Sequence, residues 1–240
     1  MTTPADAPAL PRVMGIFAHP DDPEFFCGGT FAKWAAEGRQ IVFVLATSGD
    51  KGSGDLSVTS ETLIPIREAE ERAAAARLGV QDVIFLRYPD GELQPTLELR
   101  RQLTRLIRLK RPDIVVTNDP TARWFGAHYI NHPDHRAAGQ AVIDAVFPAA
   151  GNPRVIVMDK NGEPVPPHQV EEVWLAYTHQ PDLKIELGEY FEKKVRALLC
   201  HVSQIRETSD AFRERMKTRW EKDPKTGEEH YFEKFKRIQF

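Results

Sequence analysis

Short apolar runs alternate with longer amphipathic segments through the first 147 residues of the chain. The apolar runs have the length of buried strands, and the segments between them space their apolar residues as helices do. The predicted strands cover residues 13–18, 40–46, 83–86 and 114–117, and the predicted helices cover about 23–37, 64–78, 96–110 and 133–147. Because this alternation is typical of βαβ units, it predicts an α/β fold, a Rossmann-like three-layer sandwich with a mostly parallel sheet.

The texture changes from Pro148 onwards, where Pro-containing connections separate short apolar runs. Strands are predicted over 155–158, 173–176 and 183–187, and a helix from 189 to about 205. There is neither an internal repeat nor a clean linker. We therefore predict one domain over residues 12–240, with a C-terminal β/α elaboration from about residue 150 and a disordered tail over residues 1–11.

Composition narrows the class of protein. The formal net charge of the 240 residues is −3, whereas a dedicated nucleic-acid binder needs a clear basic excess. Cys27 and Cys200 lie far apart in sequence, which suits a reducing cytoplasm better than a disulfide framework. No apolar run approaches the ~20 residues of a membrane helix, and the N-terminus lacks the pattern of a signal peptide. We expect a cytoplasmic protein with no membrane span and no nucleic-acid partner.

The first segment that indicates chemistry is Ala18-His19-Pro20-Asp21-Asp22, directly after the first predicted strand. In open α/β sheets, ligands bind at the carboxyl ends of the strands. A histidine and two carboxylates within four residues are costly to bury unpaired, and a divalent metal ion would offset that cost. Imidazole nitrogen and carboxylate oxygen are both good zinc ligands.

The second segment is His132-Pro133-Asp134-His135, which follows an irregular stretch and begins a predicted helix. Either segment alone has an ordinary explanation, because a histidine before proline is commonly a turn residue and aspartates commonly cap helices. Two such segments at two strand ends favour a shared site instead. Three protein ligands and one open position are the pattern of catalytic zinc.

Together the two segments resemble the signatures of the PIG-L/LmbE-like zinc deacetylases. The first, followed by Gly28-Gly29-Thr30, resembles the family's opening signature, and the second, with Arg136, resembles its later one. Arg67-Glu68-Ala69-Glu70 and His201-Val202-Ser203-Gln204 agree with two further family segments. The resemblance covers about residues 13–238.

This resemblance implies that His19, Asp22 and His135 bind Zn²⁺, that Asp21 is the general base and that His132 assists the tetrahedral intermediate. Elementary chemistry asks for the same parts. A Lewis acid polarises an unreactive amide, a carboxylate accepts the proton of water, and a hydrogen-bond donor stabilises the oxyanion. The residues themselves do not separate the role of Asp21 from that of Asp22.

Other residues have two interpretations each. Arg67 resembles a family position that reaches the substrate, and a solvated helix face explains it equally well. Asp90 is predicted to bind the sugar, with an ordinary Asp-Gly turn as the alternative. Asp119 and Asp134 compete as the acceptor for the second N–H of a metal-bound histidine.

Three further features also have two interpretations each. Gly28-Gly29 inside a helix indicates close packing or close approach of a ligand, and packing is favoured. Ile130 stands where some family members carry a tyrosine, and Tyr129 beside it is an alternative. Arginines recur over residues 100–111 and are interpreted as a solvated helix face.

The leading functional hypothesis is hydrolytic removal of an acetyl group from an N-acetylglucosamine-type small molecule. One alternative is a zinc amidase for another N-acyl conjugate, such as a thiol-pathway intermediate or an antibiotic. Another is a non-catalytic sugar- or nucleotide-binding module, which lacks support because no G-x-G-x-x-G follows the first strand. The aromatic C-terminal stretch offers a surface for a homo-oligomer.

Overall fold

A seven-stranded sheet with helices on both faces organises the protein. The computed structural model describes residues 10–80, 82–217, 221–222 and 226–240. In chain order the elements are β1 (Val13–Phe17), α1 (Asp22–Ala36), β2 (Ile41–Thr47), α2 (Ser60–Leu78), β3 (Asp82–Tyr88), α3 (Leu97–Lys110), β4 (Ile114–Asn118), β5 (Trp124–Phe125), β6 (Tyr129–Ile130), α4 (Pro133–Asp144), β7 (Glu172–Ala176), β8 (Leu183–Glu186), α5 (Tyr190–Leu198), α6 (Ser209–Lys217), β9 (Glu221–Lys222), β10 (Glu229–His230) and β11 (Phe232–Gln239). Residues 1–9 of the expected tail lie outside the described residues.

The strand order β3-β2-β1-β4-β7-β11-β8 places the reversal of the winding between β1 and β4. The strands from β3 to β7 in this order are parallel, and β11 runs antiparallel to both of its neighbours. In doubly wound sheets, ligands bind in the crevice outside the strand ends at such a reversal. The predicted α/β class and mostly parallel sheet are confirmed.

Side chains of β1 alternate between two hydrophobic cores. Val13 and Phe17 pack in the core formed with α1, α2 and α5, whereas Met14 and Ile16 pack in the core formed with α3 and α4. Both faces of the sheet are therefore covered, which is why its central strands are nearly continuous apolar runs. This is the predicted three-layer arrangement. Among the described residues, no helix is both long and apolar enough to cross a bilayer.

The predicted strand over 155–158 is wrong, since only Met158 forms an isolated bridge, to Pro164. Hydrogen bonds from one buried side chain, and not a ladder of backbone hydrogen bonds, fix the position of this segment. Arg108 is only 2% exposed, and its guanidinium donates to the carbonyl oxygens of Ala149, Ala150, Asn152, Val155 and Val165. The arginine was expected on a solvated face, and its burial is the correction.

Several helix boundaries also differ from the prediction. The helix predicted from residue 64 begins at Ser60, because Thr59 caps it by accepting from the Thr62 backbone N–H. The helix predicted over 133–147 ends at Asp144, and the backbone leaves helical geometry at Phe147, which has φ −129° and ψ 128°. The helix predicted to reach about residue 205 ends at Leu198. Two elements, α6 and β11, carry no pattern that predicts them.

The C-terminal elaboration is joined to α1 by a buried ion pair between Lys194 and Glu233. Glu233 accepts from the backbone N–H groups of Gly29 and Thr30, at 3.0 and 2.8 Å. Lys194 donates to Glu233 at 2.6 Å and to the Phe25 carbonyl at 2.9 Å. These are backbone groups in the interior of a helix, so two side chains from other elements insert into its hydrogen-bond ladder.

The glycines of α1 allow this approach. A Cβ atom on Gly29 would lie 2.1 Å from Leu187 Cδ1, and one on Gly28 would lie 3.2 Å from Lys194 Cγ. The packing interpretation of Gly28-Gly29 therefore has a direct structural cause.

A glycine of α4 controls where the second motif lies. A Cβ atom on Gly139 would lie 2.2 Å from the backbone oxygen of Asn118, at the end of β4. Because backbone yields less than a side-chain tip, we expect Gly139→Ala to destabilise the protein by about 1–3 kcal/mol, despite alanine's better helix propensity. Urea denaturation measures this change. Gly54→Ala is the control, since nothing lies within 4 Å of its Cβ position, and equal stability of the two variants would contradict the packing argument.

Candidate metal centre and active-site cleft

Two distant segments of chain meet at the reversal point of the sheet. His19 and Asp22 lie in the turn from β1 into α1, and His135 lies in the first turn of α4. Asp22 Oδ1 is 3.0 Å from His135 Nε2, and Asp22 Oδ2 is 3.5 Å from His19 Nδ1. All three side chains are buried, with one ligand atom of each within 4.8 Å of the others. The structure thus brings together the three residues predicted to bind a metal.

The second nitrogen of each histidine has its own acceptor. His19 Nε2 lies 3.3 Å from Asp134 Oδ2 and 3.1 Å from Asp90 Oδ1, and His135 Nδ1 lies 2.9 Å from Asn131 Oδ1. Such contacts fix the orientation of an imidazole and leave its other nitrogen for a metal ion. Asp134 occupies the position expected for it. Asn131 was missed, although it directly precedes the second motif.

Asp119 lies elsewhere in the hydrogen-bond network. Its carboxylate accepts from the backbone N–H and hydroxyl of Thr121 and from the hydroxyl of Thr178. It therefore ties the segment after β4 to the segment after β7. The expectation that it orients a metal-binding histidine is corrected in favour of Asn131 and Asp134.

The electrostatics of the three residues favour a bound cation. Burial opposes protonation of His19, but the carboxylates of Asp134, Asp22 and Asp90 raise its pKa well above the ordinary value. Burial also opposes ionisation of Asp22, yet His135 and His19 lower the pKa of that carboxyl strongly. Positive charge is therefore stabilised here. Two imidazole nitrogens and one carboxylate facing one another are a suitable donor set for a divalent metal ion such as zinc.

Asp21 lies beside this donor set in a left-handed backbone conformation, with φ 92° and ψ −24°. It precedes the first residue of α1, and its side chain makes no capping hydrogen bond. Burial raises the pKa of Asp21, and the guanidinium of Arg67 opposes that rise. A carboxylate whose pKa is raised is better suited to accept a proton from water near neutral pH.

Arg67 is buried and points into the site, so the interpretation as a solvated helix face is wrong. Its Nη2 donates to the Pro20 carbonyl at 2.6 Å and to Asp21 Oδ2 at 3.2 Å, and its Nη1 donates to the Gly49 carbonyl at 3.1 Å. A Cβ on Gly49 would lie 2.0 Å from Nη1, and this glycine has φ 64°. The loop after β2 is therefore shaped around the guanidinium.

His132 lies at the wall of the cleft and is partly exposed. Its Nδ1 accepts from the Asp134 backbone N–H at 3.2 Å, so the neutral ring carries its proton on Nε2. Burial and the neighbouring His19 lower the pKa of His132. The ring is therefore a neutral hydrogen-bond donor at neutral pH.

The hairpin of β5 and β6 separates the alternatives for the tyrosine position. Tyr129 lines the cleft together with His132. Ile130 pairs with Trp124 across the hairpin and is 82% exposed. Tyr129, and not its neighbour, thus has access to a substrate in the cleft.

The site opens into a cleft of about 750 Å³, also lined by Arg67 and Asp90. An aromatic wall of Phe26, Tyr177 and Phe125 forms one side. Ring centroids are 4.8 Å apart between the first two rings and 3.8 Å apart between the last two. Tyr177 has φ 53°, a conformation that is costly outside glycine and is typical of functional sites. The three residues come from separate segments of the chain, so only the tertiary structure brings them together.

A cluster of metal-binding type at the carboxyl edge of a parallel sheet, beside a partly free carboxylate and an open cleft, defines a hydrolytic enzyme. The chain belongs to the PIG-L family, since the family profile "GlcNAc-PI de-N-acetylase" matches residues 14–146. The resemblance stated from the two motifs is confirmed.

The relatives are named deacetylases. Diacetylchitobiose deacetylase of Thermococcus kodakarensis is 37% identical over 196 residues, covering 82% of this chain and 71% of the relative. A probable N-acetyl-alpha-D-glucosaminyl L-malate deacetylase 2 of Bacillus anthracis is 30% identical over 203 residues, covering 81% of each chain. The structure of N,N'-diacetylchitobiose deacetylase from Pyrococcus horikoshii superimposes with a TM-score of 0.78 at 29% identity, over 95% of this chain and 84% of that one. The protein is thus an enzyme of the N-deacetylase class.

Proposed function

We propose that the protein removes the acetyl group from an N-acetylglucosamine-containing small molecule, with Zn²⁺ held by His19, Asp22 and His135. The observation that carries the proposal is the convergence of these three side chains at the edge of the sheet, each histidine oriented by a separate acceptor. The names of the relatives support the substrate class.

Asp21 and His132 have separate catalytic roles in this proposal. Bound zinc supplies the Lewis acid that polarises the acetamide carbonyl and activates water. Asp21 accepts the proton of the attacking water, and its bond to Arg67 holds the carboxylate at the cleft. His132 donates from Nε2 to the oxyanion, because its Nδ1 is engaged by the Asp134 backbone N–H.

We assign Arg67 and Asp90 to the end of the cleft that receives the acetylated sugar. Both side chains line the cleft, and Asp90 also contacts His19. A carboxylate and a guanidinium are suitable partners for sugar hydroxyl groups. Asp90 also lies in a turn, since Gly91 after it has φ 77°. The turn interpretation of Asp90 is therefore compatible with a role in sugar binding.

A cleft of about 750 Å³ also favours a second candidate, a deacylase for a larger N-acyl conjugate. Such a volume is within the range of sites for drug-sized ligands, ~300–1,000 Å³. A panel of N-acetylglucosamine glycosides and other N-acyl amines, assayed for released amine, separates the two. Cytoplasmic location and a homo-oligomer stay predictions.

Loss of one ligand is expected to abolish metal binding. Purified zinc-loaded protein should contain about one metal ion per chain, since three ligands and an open position hold a single ion, and His135→Ala should contain almost none. Elemental analysis measures the metal content, and release of amine from N-acetylglucosamine substrates measures the activity. The control is His128→Ala, an exposed histidine between β5 and β6, which should keep its metal. A protein without stoichiometric metal, or a fully active His135 variant, would contradict the proposal.

A further inference from the structure

A second cluster of ionisable side chains lies behind the catalytic segment. It consists of Glu24 from α1, Glu71 from α2 and His201 from the turn after α5, and we call it the Glu71 cluster. All three residues are fully buried. His201 Nε2 is 3.4 Å from Glu24 Oε2 and 3.9 Å from Glu71 Oε2. Burying three ionisable side chains costs folding free energy. A contact that these side chains make with the active site would account for their position.

One atom of the cluster reaches the site directly. Glu71 Oε2 accepts from the backbone N–H of Asp21 at 3.0 Å. Arg67, one turn earlier on α2, holds the carboxylate of the same residue at 3.2 Å. Helix α2 therefore contacts Asp21 at two points. Arg67 binds the Asp21 carboxylate, and Glu71 binds the Asp21 backbone N–H.

The contact between Glu71 and the backbone N–H of Asp21 is made at a residue with an unfavourable backbone conformation. Asp21 has φ 92°, a conformation that costs a non-glycine residue about 1–3 kcal/mol and persists only where the surroundings hold it. Its carbonyl accepts from the Phe25 N–H at 2.9 Å, as the first bond of α1. The N–H group points the other way, and Glu71 is the side chain that receives it.

We propose that Glu71 is a positioning residue for Asp21, holding the backbone conformation that presents the Asp21 carboxylate to the cleft. The proposal rests on the proposed function only for the role of Asp21 as base; the positioning itself is a structural statement. Glu24 and His201 support Glu71 from behind. The His201 ring links the two carboxyl groups, since its Nε2 lies 3.4 Å from Glu24 Oε2 and 3.9 Å from Glu71 Oε2.

A glutamine is a close mimic of Glu71. Burial and the neighbouring Glu24 raise the pKa of Glu71 well above its usual range, and a protonated carboxyl presents a carbonyl oxygen as a carboxamide does. Methionine has a similar volume and no oxygen acceptor. The pair Glu71→Gln and Glu71→Met therefore tests the hydrogen bond at nearly constant packing.

We expect Glu71→Met to lower kcat by about 10- to 100-fold, the effect of leaving one buried backbone donor without an acceptor. KM and metal content should stay near those of the wild type, and Glu71→Gln should keep kcat within about threefold, since its acceptor remains. A crystal structure of the methionine variant should show Asp21 outside the left-handed region. Glu70→Gln is the matched control, because Glu70 joins α2 to Ser203 at 2.7 Å without touching the site.

Several outcomes would overturn the proposal. These are full activity in Glu71→Met with Asp21 unmoved, an equal loss in the Glu70 variant, or a second equivalent of metal that Glu71→Met alone removes. If the methionine variant does not fold, the kcat of Glu71→Gln tests the proposal instead. A loss of kcat beyond about tenfold in Glu71→Gln would contradict the proposal, because the acceptor for the Asp21 N–H is still present in that variant. If Asp21→Asn is fully active while Asp21 shifts in Glu71→Met, the role of the base fails and the positioning stands.

Discussion

Replacing Asp21 with asparagine is expected to lower kcat by about 10²- to 10⁴-fold, the usual contribution of a general base. Asparagine has nearly the same shape, and its carboxamide oxygen can still accept from Arg67, but it cannot take the proton of water. The protein should keep its metal, because Asp21 lies beside the donor set of His19, Asp22 and His135 and not within it. Steady-state kinetics with elemental analysis measures both quantities.

The same measurement separates Asp21 from its neighbour. Asp22→Asn is the comparison, since Asp22 contacts both candidate ligand histidines at 3.0 and 3.5 Å. That variant should lose metal together with activity. Metal loss in the Asp21 variant, or full activity with metal retained, would contradict the proposed division of roles.

Replacing Lys194 with methionine is expected to lower the free energy of unfolding by about 3–5 kcal/mol, the cost of removing one partner from a buried ion pair. Glu233 would remain fully enclosed without its cation, and the Phe25 carbonyl would lose its donor. The damage should extend beyond the pair, because this contact joins β11 to the interior of α1. Chemical denaturation at constant pH measures the change.

Two controls make this prediction specific. The Lys184–Glu221 pair is exposed, with Lys184 at 51%, and Lys184→Met should change stability by about 1 kcal/mol or less. The double variant Lys194→Met/Glu233→Gln should recover part of the loss, since a neutral carboxamide can still accept from α1 and leaves no buried charge. A Lys194 variant as stable as the Lys184 variant would show that the ion pair contributes little.

Pattern alone was sufficient for strands β1 to β4. Their apolar runs are nearly continuous because helices cover both faces of the sheet, and the alternation of these runs with amphipathic segments is visible without coordinates. The metal-binding segments were also visible, since His19, Asp22 and His135 follow strand ends and such ends meet at one edge. Local sequence therefore determined the class of fold and the two segments that carry the candidate ligands, whereas the choice of Asp22 over Asp21 came from the family resemblance.

Only the tertiary structure decided which partner each of these groups has. Arg108 looked like one more arginine of a polar helix face, and the loop carbonyls that bury it come from residues 149–165. Asp119 was predicted as an acceptor for a metal-binding histidine and Asn131 was not, but it is Asn131 that reaches His135. Glu71 and Glu233 carry no local signal at all. Their roles depend on backbone N–H groups 50 and 204 residues away, and contacts across such separations follow from packing, which periodicity does not encode.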